Sequence, residues 1–414
     1  MSPQKSCLII VENLPVPVDR RVWQEAKALR DAGWDVTVIC PATVACAERD
    51  IVIDGIQVYR HSLPVIARGA AGFLVEYPLA LFHETRLALR AFRRRRFDVV
   101  HICNPPDLLF LVALPYQLLG RALIFDQHDI CPELFESKFH RRGLLHALLR
   151  LFEWLTFKSA DVVIAANATF RDIALGRGGK RPADVFTVYS VPDLATFRRV
   201  ASLERPAGAP LVIGYVGVMG AQDGVCNLIE AVAKLQARGL TSGVRLRLVG
   251  DGPELDALRA LAVERGVADI CDFTGFLGGE ALLGALSSFD IGVIPDPFDV
   301  YNDKISMNKV FEYSTLGLPI VAFDLRETRR LLGDSALYAT AYTVDGLTES
   351  LSLLVTDAGL RRDLGGRAAA LAARTFRWDE QVSQLLAAYN RALVLRGRSS
   401  PASVAAAGQS TSQS

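Results

Sequence analysis

Two lysines and a glutamate lie within "DKISMNKVFEYSTLGLPIVAFD", residues 303 to 324. Lys304 and Lys309 flank the expected start of a short apolar helix near Ser306, and Glu312 falls inside it, ahead of a Gly-Leu-Pro break and a buried strand. Free amides at a helix N-terminus attract anions, and Ser306, Met307 and Asn308 would supply them here. Acids normally complement that end of a helix, so cations placed there suit a bound phosphate. The plainer reading is a pair of solvated lysines. Glu312 follows Lys309 by three residues and shares its face; it either accepts hydrogen bonds from ribose hydroxyls or completes a surface ion pair.

A second set of candidates lies in the first half. "FDQHD" places His128 and Asp129 at the end of a strand, where an imidazole can hold a proton or a substrate hydroxyl, or can simply be a satisfied ring beside a helix cap. Asp19, Arg20 and Arg21 open the first helix, where an arginine suits a phosphate or faces water. Gly217 and Gly220 in "YVGVMGAQDGV", and Gly250 and Gly252 in "VGDGPEL", each suit ordinary tight turns, and together they line one edge. The first turn, "VENLPVPVDRRV", has two prolines and no glycine. That excludes the dinucleotide fingerprint of a nicotinamide or flavin enzyme.

These residues need a scaffold. Residues 7 to 40 read strand, loop, helix, strand, with Asp19 as N-cap, Val22, Ala26 and Leu29 on one face, and Gly33 as the stop. Further strands are expected at 97–103, 122–129 and 160–167, with helices within 107–119 and from about Gly143 to Ser159. After a Pro- and Ala-rich linker at 191–210, a second alternation runs through strands at 211–217, 244–250, 271–276, 290–295 and 318–324. The pattern implies an α/β chain of two Rossmann-like, doubly wound domains facing across a cleft, with ligands beyond the strands' carboxyl ends. The expected domains are 1–190 and 211–377. An amphipathic helix at 378–398 is expected to cross back to the first domain, and 399–414 reads as a small, polar, disordered tail.

The 414 residues exceed one core's usual span, and 22% of them are charged. The net charge of +1 hides an asymmetry: residues 1–200 carry 26 Lys+Arg against 21 Asp+Glu, and 201–414 carry 20 against 24. A basic front half suits an anionic surface or substrate. Seven scattered cysteines without a Cys-x-x-Cys pair read as buried thiols in a reducing cytoplasm. The opening residues lack a signal-peptide core, and no apolar run spans a bilayer. The run Arg86 to Arg96 contains six arginines among apolar residues; it reads as a solvated helix end or as adhesion to the anionic inner face of a membrane.

The ordered segments "DRRVWQEAKALRDAGWDVTVICP", "FDVVHICNPPDLLFLVALP", "FDQHDICPELFE", "GYVGVMGAQDGV", "LRLVGDGPELDALRALA", "FTGFL" and "NKVFEYSTLGLPIVAFD" resemble the GT-B glycosyltransferases of glycosyltransferase family four. The resemblance covers about residues 7 to 395. It implies a nucleotide-sugar donor held by the second domain, a saccharide or lipid-linked acceptor held by the first, transfer with retention, and a place in bacterial surface polysaccharide assembly. It also implies no cofactor, no metal and no nucleic-acid partner; the absence of an Asp-x-Asp motif agrees. By the same resemblance His128 lines the catalytic site, Phe276 and the glycines lie along the donor, and Glu312 holds the ribose. The chain departs from the pattern at Lys304, which stands where the family's first glutamate falls, and at Val218 and Asp223, which stand where two phosphate-clamping cations fall. We therefore expect Lys304 and Lys309 to meet the diphosphate, with Lys304 beside His128 as a catalytic candidate. Other activities compatible with the fold are a non-hydrolysing nucleotide-sugar 2-epimerase and a catalytically silent nucleotide-sugar-binding homologue.

Overall fold

The computed structural model describes residues 4–62, 70–194, 197–200 and 208–397. The expected tail at 399–414, with Arg398 before it, and part of the expected linker lie outside the described residues. Contacts divide the chain into two units, residues 1–190 with 379–414, and 191–378. The helix Trp378–Leu395 thus belongs with the first unit.

In the first unit, β1 (Ser6–Val11), β2 (Asp35–Pro41), β3 (Asp50–Ile53), β4 (Ile56–His61), β5 (Val99–Cys103), β6 (Ala122–Gln127), β7 (Val162–Ala165) and β8 (Val185–Thr187) form one sheet of order β3-β4-β2-β1-β5-β6-β7-β8. Its neighbours pair in parallel except at the edge, where β3 runs antiparallel to β4. That hairpin departs from the purely parallel expectation. Its two-residue turn is Asp54-Gly55, with φ of 49° and 78°, the left-handed pair that closes a twisted hairpin. β1 is buried along its whole length, because helices cover both faces of a parallel sheet.

In the second unit, β9 (Leu211–Val216), β10 (Val244–Val249), β11 (Cys271–Gly275), β12 (Ile291–Ile294), β13 (Ile320–Ala322) and β14 (Leu337–Tyr338) form a parallel sheet of order β11-β10-β9-β12-β13-β14. In both sheets the first strand sits where the winding reverses, β1 between β2 and β5, and β9 between β10 and β12. Crevices at the carboxyl ends of such strands hold ligands in doubly wound folds.

Local signals explain the elements. Asp19 accepts from the Val22 amide at 3.1 Å and caps the helix Arg20–Asp31, which ends before Gly33 at φ 85°. The helix of the opening motif runs Asn308–Thr315, so Ser306 and Met307 precede it. Cys7, Cys40 and Cys103 are buried, but Cys46, Cys131 and Cys271 are half-buried and Cys226 is exposed, so the expectation of buried thiols holds for only part of the set. Among the described residues no helix is long and apolar enough to cross a membrane.

Candidate active site

At the first unit's carboxyl edge, alternate residues of a strand share a face, so Asp126 at the end of β6 points the same way as His128 just beyond it. His128 Nε2 lies 2.5 Å from Asp126 Oδ2. Asp126 is fully buried, and Arg21 grips it bidentately, Nε to Oδ2 at 3.0 Å and Nη2 to Oδ1 at 2.7 Å. Burial alone would raise this carboxyl; the Arg21 guanidinium, His128 and His101 override it and hold it well below the usual carboxylate range. Asp126 is therefore a carboxylate that accepts from its neighbours. An Nε2–H directed at it leaves His128 Nδ1 with a lone pair, on a side chain that is 15% exposed.

Deeper residues complete the network. Arg21 Nη1 also donates to the Val188 carbonyl at 2.6 Å, tying the helix Arg20–Asp31 to the segment after β8. Glu25, one helical turn on, lies 3.3 Å from Arg21 Nε; burial and the Asp126 charge push its carboxyl well above its ordinary value. His101 of β5 is held neutral by burial, with Nδ1 at 2.8 Å from the Tyr389 hydroxyl of the C-terminal helix. Tyr389 in turn packs edge-on against Trp34 at 5.0 Å.

Asn104 shapes the loop that carries His128. Its Oδ1 accepts from the amides of His128 at 2.8 Å and Asp129 at 3.2 Å, and its Nδ2 donates to Asp107 at 2.8 Å and to the Asp129 carbonyl at 2.9 Å. Asp107 is buried; burial and the charge of Glu153 push its carboxyl up to about 7. Asp129 accepts from the Ile130 amide at 2.7 Å just ahead of the helix Cys131–Phe139. Both plain readings hold in part: the carboxylates at 19 and 129 brace local backbone, and the His128 ring has a partner. Arg20 is exposed, and Arg21, the other arginine at the helix start, is the residue turned inward.

The second unit builds its edge from glycines. A Cβ on Gly250, whose φ is 138°, would lie 1.8 Å from the Gly217 carbonyl oxygen, and one on Gly252 would lie 2.5 Å from the Met219 carbonyl oxygen. The turns after β9 and β10 are thus laced backbone to backbone, Met219 N–H to Asp251 O at 3.0 Å and Glu254 N–H to Met219 O at 2.9 Å. Asp223 accepts from the Gly220 amide at 3.1 Å and folds this turn on itself. Phe276, just past β11, is 75% exposed and presents a free aromatic face.

The expected relocation of a phosphate clamp onto Lys309 is corrected here. Lys309 is buried, its Nζ is 2.7 Å from Asp296 Oδ2, and it lies 4.7 Å from the Tyr215 ring centroid. Burial opposes the ammonium, but Asp296 overrides it and raises the Lys309 pKa. Its charge is matched inside the protein. Glu312 is buried as well, so it does not sit on a solvated face. Lys304 ends a short 3-10 turn, half-buried, two residues ahead of Ser306, whose hydroxyl faces Glu327 at 3.4 Å. Asn308 is exposed at the helix start, and no side chain caps that helix.

Sequence reasoning named Arg21 only as a possible phosphate contact or surface residue, and missed Glu25, His101, Asn104, Asp126 and Asp296. Arg21 and Glu25 are an i, i+4 pair, and Asp126 is two residues from His128 on a strand, so their signals were present. Nothing local pairs Asp296 with Lys309.

Known proteins match in both units. A model of the glycosyl transferase 4-like domain matches residues 18–190, and one of the glycosyl transferases group 1 matches 210–357. The chain is 27% identical over 321 residues to the 2-deoxystreptamine N-acetyl-D-glucosaminyltransferase of Streptomyces fradiae, covering 74% of each. It is 25% identical over 389 residues to the phosphatidyl-myo-inositol mannosyltransferase of Mycolicibacterium smegmatis, covering 91% of this chain and 90% of that one. The fold matches Anabaena HepE, solved with UDP and glucose, at a TM-score of 0.70 and 18% identity, over 92% of this chain and 98% of that one.

Proposed function

Since the chain is a GT-B glycosyltransferase, with a glycosyl transferase 4-like first domain and a group 1 second domain, we propose that it moves a sugar, with retention, from a nucleotide-diphosphate donor to a saccharide or lipid-linked acceptor in bacterial surface polysaccharide assembly. The observation that carries the reading is the convergence, at one sheet edge, of His128 on a buried Arg21–Asp126 pair. A positioned imidazole of this kind is suited to a sugar hydroxyl. The edge beyond β9 and β10 gives the donor a close backbone approach, Phe276 a surface for the base, Glu312 a carboxylate for the ribose, and Lys304 with the amides at Ser306, Met307 and Asn308 a place for phosphate. The solved HepE complex contains UDP, which makes a uridine donor the first to try.

Thermal shift against uridine, guanosine, adenosine and thymidine diphosphates and their sugars tests the donor. One base should raise the melting temperature with concentration, because a ligand of the folded state stabilises it. A flat response to all four would overturn the nucleotide donor. A silent homologue is favoured by one observation, that Lys309 is already matched by Asp296; tight nucleotide binding without turnover over an acceptor panel would establish it. Epimer formation from donor alone would mark the 2-epimerase instead.

The same reading places the basic helix end on an anionic lipid surface. Arg90 is tied to Asp50, Arg94 to the Tyr59 hydroxyl and Arg95 to Asp35, while Arg86, Arg93 and Arg96 are exposed. Three such arginines would contribute about 1 kcal/mol each near the bilayer, so sedimentation with anionic vesicles should weaken when they become alanine.

A further inference from the structure

Apart from the network under His128, one polar cluster has no account in the transfer reaction. Glu12 follows β1 directly, His61 ends β4, and Glu84 lies on the helix Ala70–Arg94. All three side chains are more than nine-tenths buried. One potential ligand atom from each lies within 4.8 Å of the others, and His61 Nε2 is 3.0 Å from Glu12 Oε2. Yet both carboxylate oxygens of Glu12, both of Glu84 and both ring nitrogens of His61 lack a hydrogen-bond partner among the described residues. The His83 ring stacks on His61 at 5.8 Å and closes one side.

Two buried carboxyls without a donor are costly, since burying a charge requires a counter-charge or hydrogen bonds. From this arrangement we infer that Glu12, His61 and Glu84 form a binding site for one divalent first-row transition ion of zinc type. Two glutamates and a neutral imidazole would balance a dication. Oxygen and nitrogen ligands at bonds of roughly 2.0–2.2 Å stand about 3.3 Å apart around a tetrahedral ion. The His61–Glu12 separation of 3.0 Å is already near that edge, and a Glu84 oxygen lies within 4.8 Å of both. Magnesium and calcium fit less well, because hard cations take six or more oxygens and this site offers an imidazole.

The second cluster of ligating groups, His101, Cys103 and Asp126, does not compete. Arg21 already occupies Asp126, and its guanidinium would repel a metal ion. Among the described residues no lysine or arginine is paired with Glu12 or Glu84. A metal there would join the ends of β1 and β4 to the helix Ala70–Arg94 and act as a clasp; it has no part in the transfer step.

The test uses the full-length chain, stripped with a chelator and titrated with cobalt(II) and then zinc(II). Cobalt should give visible absorption of a four-coordinate site without a thiolate charge-transfer band, saturating near about one equivalent, and the melting temperature should rise with free metal. Zinc should bleach the cobalt band. Glu84→Gln, which keeps the shape and removes the like charge, and His61→Ala should both lose the band. Circular dichroism of the metal-free variants keeps loss of binding distinct from loss of fold. A titration with no visible band, or a band unchanged in both variants, overturns the site. Because the readout is spectroscopic, it is independent of whether a sugar donor is ever found.

Discussion

Each unit keeps a buried ion pair at the edge of its sheet, and the two pairs do different work. Arg21–Asp126 ends in His128, a ring that reaches solvent. Lys309–Asp296 is buried on both sides, and the ammonium rests on Tyr215. Residue type is the same in kind, an acid and a base at a switch point. What differs is that the Asp126 carboxylate also meets a part-exposed imidazole, His128.

The largest effect should come from breaking the closed pair. Lys309→Ala leaves Asp296 buried and alone, which should cost about 3–5 kcal/mol of stability, and Lys309→Met with Asp296→Asn should recover much of it. Chemical denaturation measures both. If Lys309→Ala folds normally but loses nucleotide affinity, the pair is a binding device after all.

The open pair should respond in turnover. His128→Ala should lower kcat by about 10²-fold, the scale of one positioned hydrogen-bonding group, with little change in melting temperature. Asp126→Asn should approach that loss and alter the pH profile, because the imidazole loses its carboxylate. Equal kcat in wild type and His128→Ala would remove the imidazole from the reaction.

A smaller effect separates the two units by pH. Asp107 beside Asn104 has a folded pKa near 7, above the ordinary 3.8. The folded state then binds more protons than the unfolded state between the two values, so this group's contribution to stability falls as pH rises through that window. Asp107→Asn should gain on the order of 1–2 kcal/mol at pH 8 and almost nothing near pH 4, measured by urea denaturation. The smallest change is expected from Lys304→Ala, a few-fold loss of nucleotide affinity by calorimetry, since a half-buried cation near the helix start adds roughly 1 kcal/mol or less.

Much of the scaffold was legible in the chain. The cap at Asp19, the stop at Gly33, the helix Leu144–Ser159 and the parallel strands follow from local chemistry and periodicity, which act over a few residues. The Asp54-Gly55 turn was equally local but went unread, and with it the strand that brings His61 to the edge. His128 and Glu312 were found because each belongs to a quotable motif. Arg20 and Arg21 were read together as possible phosphate contacts without a choice between them, although only one of two adjacent helical residues can face the sheet.

The sequence by itself determined the α/β alternation, the glycine turns and the family, because these rest on patterns within one segment. Only the tertiary structure decided where each charge goes. Arg21 meets Asp126 across 105 residues, and Lys309 meets Asp296 from another element. Glu12, His61 and Glu84 converge from two strands and a helix. Coulomb energy depends on separation in space and on burial, and neither is written in the distance along the chain.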